Sequence, residues 1–222
     1  MKLVIVGAGY IAEVAYEYFT ADSDYEVVAF AVERSMLERN RLFGLPVVPF
    51  EDVETLYSPE THCAFIATGY AQLNRVRERL YHEAKAKGYH LASYVSSRAF
   101  VWRNVTMGDN CFILENNVLQ PFVTIGNNVT LWSGNHIGHH ASIGDHVFIA
   151  SHVVLSGLVK VGAHCFFGVN AAVADNVTVG EDAVIGAGAT ILRNAEGGKI
   201  YATEGTKARG DALAFFGVEG HE

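Results

Sequence analysis

Residues 123–146 read "VTIGNN VTLWSG NHIGHH ASIGDH", four blocks of six in which the third residue is always apolar: Ile125, Leu131, Ile137 and Ile143. Extending the frame gives uninterrupted hexads from Ala99 to Asn194, with an apolar third position throughout, from Val101 and Met107 to Ile185 and Ile191. Strands alternate with period two and helices repeat near 3.6, so a sustained period of six needs another geometry. A parallel β-helix supplies it. Each hexad is one short strand and one corner, three hexads close a coil, and the third-position side chains stack inside a prism. The first position, small or Val in most hexads, is expected to point inward as well. Many fourth positions are Gly, including Gly108, Gly126, Gly138, Gly144, Gly162 and Gly168. The pattern assigns them to corners that need unusual backbone angles. A repeat of this length makes a little over five coils, a prism roughly 25 Å tall at the usual strand spacing.

The segment before the repeat has a different grammar. "KLVIVGAGYIAEVAYEYF" (2–19) is a short apolar strand, a glycine turn and a stretch with helical spacing at Ile11, Ala15, Tyr18 and Phe19. "YEVVAFAVERS" (25–35) reads as a second strand ending at Glu33, "HCAFIATG" (62–69) as a third, and "LNRVRERLYHEAKAKG" (73–88) as a charged amphipathic helix. These elements make a small parallel α/β domain. Residues 7–12, GAGYIA, fit the form G-x-G-x-x-A, in which glycines let backbone amides approach a pyrophosphate at a helix N-terminus. Glu33 stands where a ribose-binding acid is expected. The motif by itself favours NAD, yet the segment has room for only half of a dinucleotide fold. A nucleotide-sugar diphosphate would use the same physics, and a tight turn without ligand is the remaining reading.

Of the 222 residues half are apolar and 18% are charged, enough for one large core or two modest ones. A net charge of −8 argues against nucleic acid or anionic lipid as a partner, since phosphate contacts need clustered Lys and Arg. "MKLVIVGAGY" fits neither a secretory signal nor a membrane span, so the expected location is cytoplasmic. Cys63, Cys111 and Cys165 are too few and too scattered for a disulfide framework or a thiolate zinc site.

A G-x-G-x-x-A half-Rossmann domain followed directly by a hexapeptide prism resembles the sialic-acid O-acetyltransferase-like family of bacterial sugar acyltransferases. The resemblance covers about residues 1–195, and the order of the two parts is more specific than either motif. It implies an α/β N-terminal half-Rossmann domain followed by an all-β left-handed parallel β-helix, and the hand of the helix comes from the resemblance, not from the periodicity. The boundaries expected are 1–92 for the sugar-nucleotide-binding domain, 93–194 for the β-helix acyltransferase domain and 195–222 for a C-terminal tail. The resemblance further implies a homotrimer with active sites between neighbouring prisms, acetyl-CoA as co-substrate, no metal, and a role in bacterial surface glycan synthesis. Members of the family carry a catalytic His in a segment like I-x-H-E/D-x-x-I-G, matched here by "IGHHASIG" (137–144), which places a general base on His139. By the same resemblance the oxyanion donor is the Gly157 N–H, and the acyl-CoA surface lies near Gly157, Gly168, Ala187 and Gly188. The sugar nucleotide is expected against Gly7, Gly9, Tyr10, Ile11, Glu33, Arg34 and Gly69.

One departure is chemical. The residue after the catalytic His is often an acid in relatives, and here it is His140, which can orient an imidazole but supplies no fixed negative charge. Another carboxylate, such as Glu115 from a neighbouring chain, takes the role, or the base is weaker. The other histidines have plainer readings. His146 and His164 fall in one corner column between Asn128 and Asp182, and His152 falls in another, between Gly134 and Asn170. Asn117 and Asn135 are either an interior amide ladder or part of the site. Arg193, Lys199, Lys207 and Arg209 are either available for CoA phosphates or a solvated tail. Acylation of a hydroxyl, a non-catalytic nucleotide-sugar scaffold and a nicotinamide enzyme are the alternatives in function. A γ-class carbonic anhydrase-like zinc enzyme would call for histidines five and thirty-six residues apart, and no pair here has either spacing.

Overall fold

The computed structural model describes residues 1–208 and 212–215; Arg209 lies outside them. The N-terminal elements are β1 (Lys2–Val6), α1 (Tyr10–Ala21), β2 (Glu26–Val32), β3 (Arg41–Leu42), β4 (Leu45–Pro49), α2 (Val53–Leu56), β5 (His62–Ile66) and α3 (Arg75–Ala86). The sheet runs in the order β3-β4-β2-β1-β5 and is parallel except for the β3–β4 hairpin. Alternate residues of β1 go to opposite sides. Leu3 and Ile5 pack with Ala12, Ala15 and Phe19 of α1, whereas Val4 and Val6 pack with Leu80, Tyr81 and Ala84 of α3. Burial on both faces explains why β1 reads as a continuous apolar run. The hairpin escaped the sequence reading because Pro46 and Pro49 break its strand pattern; its turn places Phe43 and Gly44 at positive φ.

From Tyr94 onward the chain winds as a parallel β-helix of two-residue strands, each paired with the strand one coil away. Three faces result. The docking face runs from Tyr94–Val95 through strands at 112, 130, 148, 166 and 184 to Ile200–Tyr201. The apolar face contains the strands at 100, 118, 136, 154, 172 and 190, and the polar face those at 106, 124, 142, 160 and 178. Third and first positions fill the interior, with Ile113, Ile137, Leu155, Val129 and Val147 all inaccessible. Stacking continues past residue 194, since Ala195 bridges Val179 and Ile200–Tyr201 pairs with Val184–Ile185. Part of the expected tail is therefore a last partial coil.

The fourth-position glycines are not the left-handed corners that the sequence pattern predicts. The corner residues at positive φ are sixth positions: Asn110, Asn116, Asn128, Gly134, His140, His146, His152, His164, Asn170, Asn176 and Asp182, with Phe122 and Leu158 among them. Asn, Asp, His and Gly tolerate this left-handed region best. The fourth-position glycines answer a different constraint, the close approach of the next coil. A Cβ on Gly108 would lie 2.3 Å from Asn127 Oδ1, and one on Gly168 2.5 Å from the Ala187 backbone nitrogen.

The α/β domain sits on the docking face. Phe19, Phe65, Tyr94 and Phe112 form one aromatic cluster across the junction, with centroids 5.0–6.5 Å apart. Arg77 of α3 is buried here with no carboxylate partner among the described residues. Its guanidinium donates to Thr130 Oγ1 and to the carbonyls of His146 and Val147, and burial lowers its pKa to about 10.

Candidate active site

A cavity of about 450 Å³ opens at the C-terminal ends of β1, β2 and β5. Gly7, Gly9, Tyr10, Ile11, Glu33 and Gly69 line it, joined by Thr68 and by apolar Met36, Val76 and Leu80, which the sequence reading did not single out. Arg34 is not part of the lining; its guanidinium turns to Asp52 at 2.7 Å and its backbone N–H donates to Glu51. The two motif glycines have different causes. Gly7 has φ 133° and a Cβ there would meet the Ala67 carbonyl oxygen at 2.5 Å, so the fold itself demands glycine. Gly9 has nothing within 4 Å of its Cβ position and an ordinary φ of −93°. No neighbour in the chain therefore requires glycine at this position. Gly9 also caps α1 without any side-chain hydrogen bond, which leaves first-turn N–H groups for an anion. The Glu33 carboxylate is held by Arg79 at 3.0 Å. The free edge of β5 is taken by the segment leading into the prism and by the prism itself, since Leu91 bridges Ala64 and the Ile66 backbone exchanges hydrogen bonds with Asn110. No second mononucleotide unit can extend the sheet on that side, which disfavours a full dinucleotide.

His139 stands at the far edge, the corner between the apolar and polar faces and opposite the docking face. Its backbone N–H donates to Gln120 Oε1 at 2.9 Å, and its Nδ1 lies 3.2 Å from Nδ1 of His140, whose ring stacks on Phe122 at 4.5 Å. With the His139 Nδ1–H donating to His140, the lone pair of His139 is on Nε2. That nitrogen approaches Gly157 one coil above: a Cβ on Gly157 would sit 2.7 Å from it. The buried Gly157 N–H has no acceptor among the described residues. His139 Nε2 and an unsatisfied N–H thus lie side by side, and in the tautomer where Nδ1–H donates to His140 that nitrogen carries a lone pair. Gly168, Ala187 and Gly188 are elsewhere, around the edge between the docking and apolar faces, so within one chain the apolar face separates them from Gly157. Glu115 is on that second edge too, where its carboxylate accepts from Tyr18 Oη at 2.6 Å.

His146 and His164 continue a column of corner side chains under α3. The Ile66 N–H donates to Asn110 Oδ1, Asn110 Nδ2 to Asn128 Oδ1 at 2.8 Å, and Asn128 Nδ2 to His146 Nδ1 at 2.9 Å. His164 stacks on His146 at 5.0 Å, and Glu78 of α3 faces both. The Glu78, His146 and His164 ligand atoms lie within 4.8 Å of one another, a spacing that invites a metal. The ladder opposes it, because accepting from Asn128 at Nδ1 puts the His146 proton on Nε2, the atom a metal would need bare. Asn117 and Asn135 are an interior amide ladder: both are buried, and both donate to the Trp132 carbonyl.

Burial, opposed by Glu78 and reinforced by His164, lowers the His146 pKa to about 4. A depressed histidine pKa means that the unfolded chain binds protons first as pH falls. The stabilisation is complete above pH 6.5 and disappears between 6.5 and 4, about 3 kcal/mol in all. Urea melts across this range are expected to show that loss in the native protein and not in His146→Asn, whose side chain suits the corner and can still accept from Asn128.

Residues 104–139, 123–157 and 159–193 match the bacterial transferase hexapeptide family (six repeats). The prism carries this hexapeptide repeat and winds as a left-handed β-helix, and over 95% of its length the chain shares the fold of a solved bacterial sugar N-acetyltransferase. One similar solved structure is a histidine-to-asparagine variant of perosamine N-acetyltransferase from Caulobacter crescentus in complex with CoA and GDP-perosamine. It is 25% identical with a TM-score of 0.83, over 95% of this chain and 98% of that one. The acetyltransferase domain of PglB from Neisseria gonorrhoeae FA1090 is 26% identical with a TM-score of 0.79, over 87% and 92%. The same domain in complex with acetyl coenzyme A gives 24% and 0.80, over 90% and 94%. Curated protein sequences give no match.

Proposed function

We propose that the chain transfers an acetyl group from acetyl-CoA to an amine on a nucleotide-linked sugar for bacterial surface glycan synthesis. The observation that carries this reading is the pairing of the free His139 Nε2 with the unsatisfied Gly157 N–H. The amine nitrogen attacks the thioester carbonyl carbon, and its proton passes to His139 Nε2. The carbonyl electrons move onto oxygen, where the Gly157 N–H stabilises them. Collapse of the intermediate breaks the C–S bond, and the proton goes from His139 to the departing thiolate. Perosamine N-acetyltransferase, solved with CoA and a GDP-linked amino sugar, supports both substrates.

In this reading residues 1–92 hold the sugar nucleotide, with its diphosphate at the N-terminus of α1, and residues 93–194 hold acetyl-CoA. The α/β domain covers the docking face while His139 stands at the opposite edge, so the nucleotide cavity and the base of one chain lie on different sides of the prism. A homotrimer resolves this, each site joining the nucleotide cavity of one chain to the far edge of the next. It would also set Gly168, Ala187 and Gly188 of one chain near Gly157 of another, along a single pantetheine. The surface supports such an assembly. The apolar face exposes Phe100, Trp102 and Val154, and the far edge exposes Phe122 and Leu158 at φ 66° and 62°. A bulky residue in that region costs about 1–2 kcal/mol, which Phe122 offsets in part by stacking on His140. Leu158→Asn is expected to raise the stability of the isolated subunit by about 1 kcal/mol while weakening association, read by sedimentation velocity and chemical melts. No helix among the described residues is long and apolar enough to cross a membrane, and we place the enzyme in the cytoplasm with its two substrates.

The test is release of free CoA by the purified protein given acetyl-CoA and a panel of UDP-, GDP- and dTDP-linked amino sugars. Release with one acceptor establishes the reaction. Binding of a sugar nucleotide without release from any amine or hydroxyl acceptor would leave the scaffold reading in its place.

A further inference from the structure

The mechanism above leaves one nearby charge unused. Asp175 follows His139 and Gly157 at intervals of one coil in the same column of the far edge. A Cβ on Gly157 would lie 2.7 Å from His139 Nε2 and 2.8 Å from Asp175 Oδ1, so imidazole and carboxylate converge on the same bare Cα from below and above. In another column, side chains one coil up engage the backbone beneath them. Asn127 Oδ1 accepts from the Asp109 N–H at 3.1 Å, and Asp145 Oδ1 from the Asn127 N–H at 2.7 Å. Asp175 does not do this for Gly157, and among the described residues it has no hydrogen bond or ion pair. It is an uncommitted carboxylate beside a histidine whose hydrogen-bonded neighbour, His140, is another imidazole.

We propose that Asp175 is the positioning residue that stabilises the charged form of His139 during transfer. The inference rests on the acetyltransferase reading. As the C–N bond forms, the amine proton arrives on His139 Nε2 and makes an imidazolium. Asp175 supplies the fixed negative charge that faces it, and when the C–S bond breaks the proton leaves for the thiolate sulfur, returning the pair to carboxylate and neutral imidazole. The same geometry explains Gly157 without appeal to φ: any side chain there would drive the imidazole and the carboxylate apart. It also explains how the site operates with His140 where an acid would otherwise stand.

The experiment compares the full-length protein with Asp175→Asn and Asp175→Glu, reading kcat, both KM values and the pH dependence of kcat/KM. Asp175→Asn is expected to lower kcat about tenfold with KM for acetyl-CoA changed less than twofold, and to move the acidic limb of the profile down by about half a pH unit. Asp175→Glu restores part of kcat. Unchanged kcat and an unmoved limb in an active enzyme would overturn the proposal, as would a change confined to either KM, which would make Asp175 a substrate contact. If the native protein transfers nothing, the functional reading fails on its own. The inference is then decided by NMR titration of the His139 imidazole, whose midpoint falls in Asp175→Asn if the charge pairing exists and stays fixed if it does not.

Discussion

His139→Ala is expected to lower kcat/KM by a factor of about 10²–10⁴ while leaving the melting temperature and acetyl-CoA affinity close to native values. The magnitude is that of removing a general base and keeping the oxyanion donor and substrate binding, which sustain residual transfer. Stability should hold because the side chain is exposed and, among the described residues, its one hydrogen bond is to His140. The backbone bond to Gln120 survives the substitution. His140→Ala is the informative companion. It removes the acceptor for the His139 Nδ1–H but not the base, so its loss of kcat should be smaller. Equal turnover in native protein and His139→Ala would remove His139 from the mechanism.

Arg77→Ala is expected to cost at least about 3 kcal/mol of stability, the largest single effect outside the prism core. The guanidinium is 1% exposed and serves Thr130 and two carbonyls of the docking edge. Hydrogen bonds to a charged group contribute about 1.5–3 kcal/mol each, and truncation leaves their acceptors buried and unserved. Lysine should not rescue it, because a single ammonium on a shorter fork cannot reach all three acceptors. The α/β domain is expected to loosen from the prism before the prism melts. Urea unfolding followed by far-UV circular dichroism and by limited proteolysis near residues 86–93 would show two transitions where the native protein shows one. A single unshifted transition would mean that the aromatic cluster alone holds the junction.

The prism and its interior were legible because a six-residue period leaves no alternative geometry, and the third and first positions fill the core as expected. The corners were read one step out of place. Glycine at the fourth position suggested φ, but composition cannot separate a glycine needed for torsion from one needed for clearance, and the Asn and His residues at sixth positions were the true torsional signal. His146 and His164 were correctly placed in a corner column, yet their contact with Glu78 depends on how α3 docks, which no local pattern encodes. Six of the seven residues assigned to the sugar nucleotide meet at one cavity, and Arg34 turns away because Asp52 and Glu51 lie on its other side. Asp175 was within reach of sequence reasoning, since a step of one coil from His139 lands on Gly157 and a second step lands on it.

The eighteen-residue coil makes the fold behave like a screw thread. An insertion of one residue anywhere in the prism would turn every later inward side chain out, and folding would reject it. An insertion of six residues is subtler: the apolar pattern survives intact, but everything downstream rotates by one face. Placed between Leu114 and His139, such an insertion would carry His139 round to a different edge and turn the prism residues that α3 docks on, His146, Val147 and His164, away from it. The docking contacts and the far edge therefore keep their relation only when the chain between them lengthens or shortens by whole turns of eighteen residues.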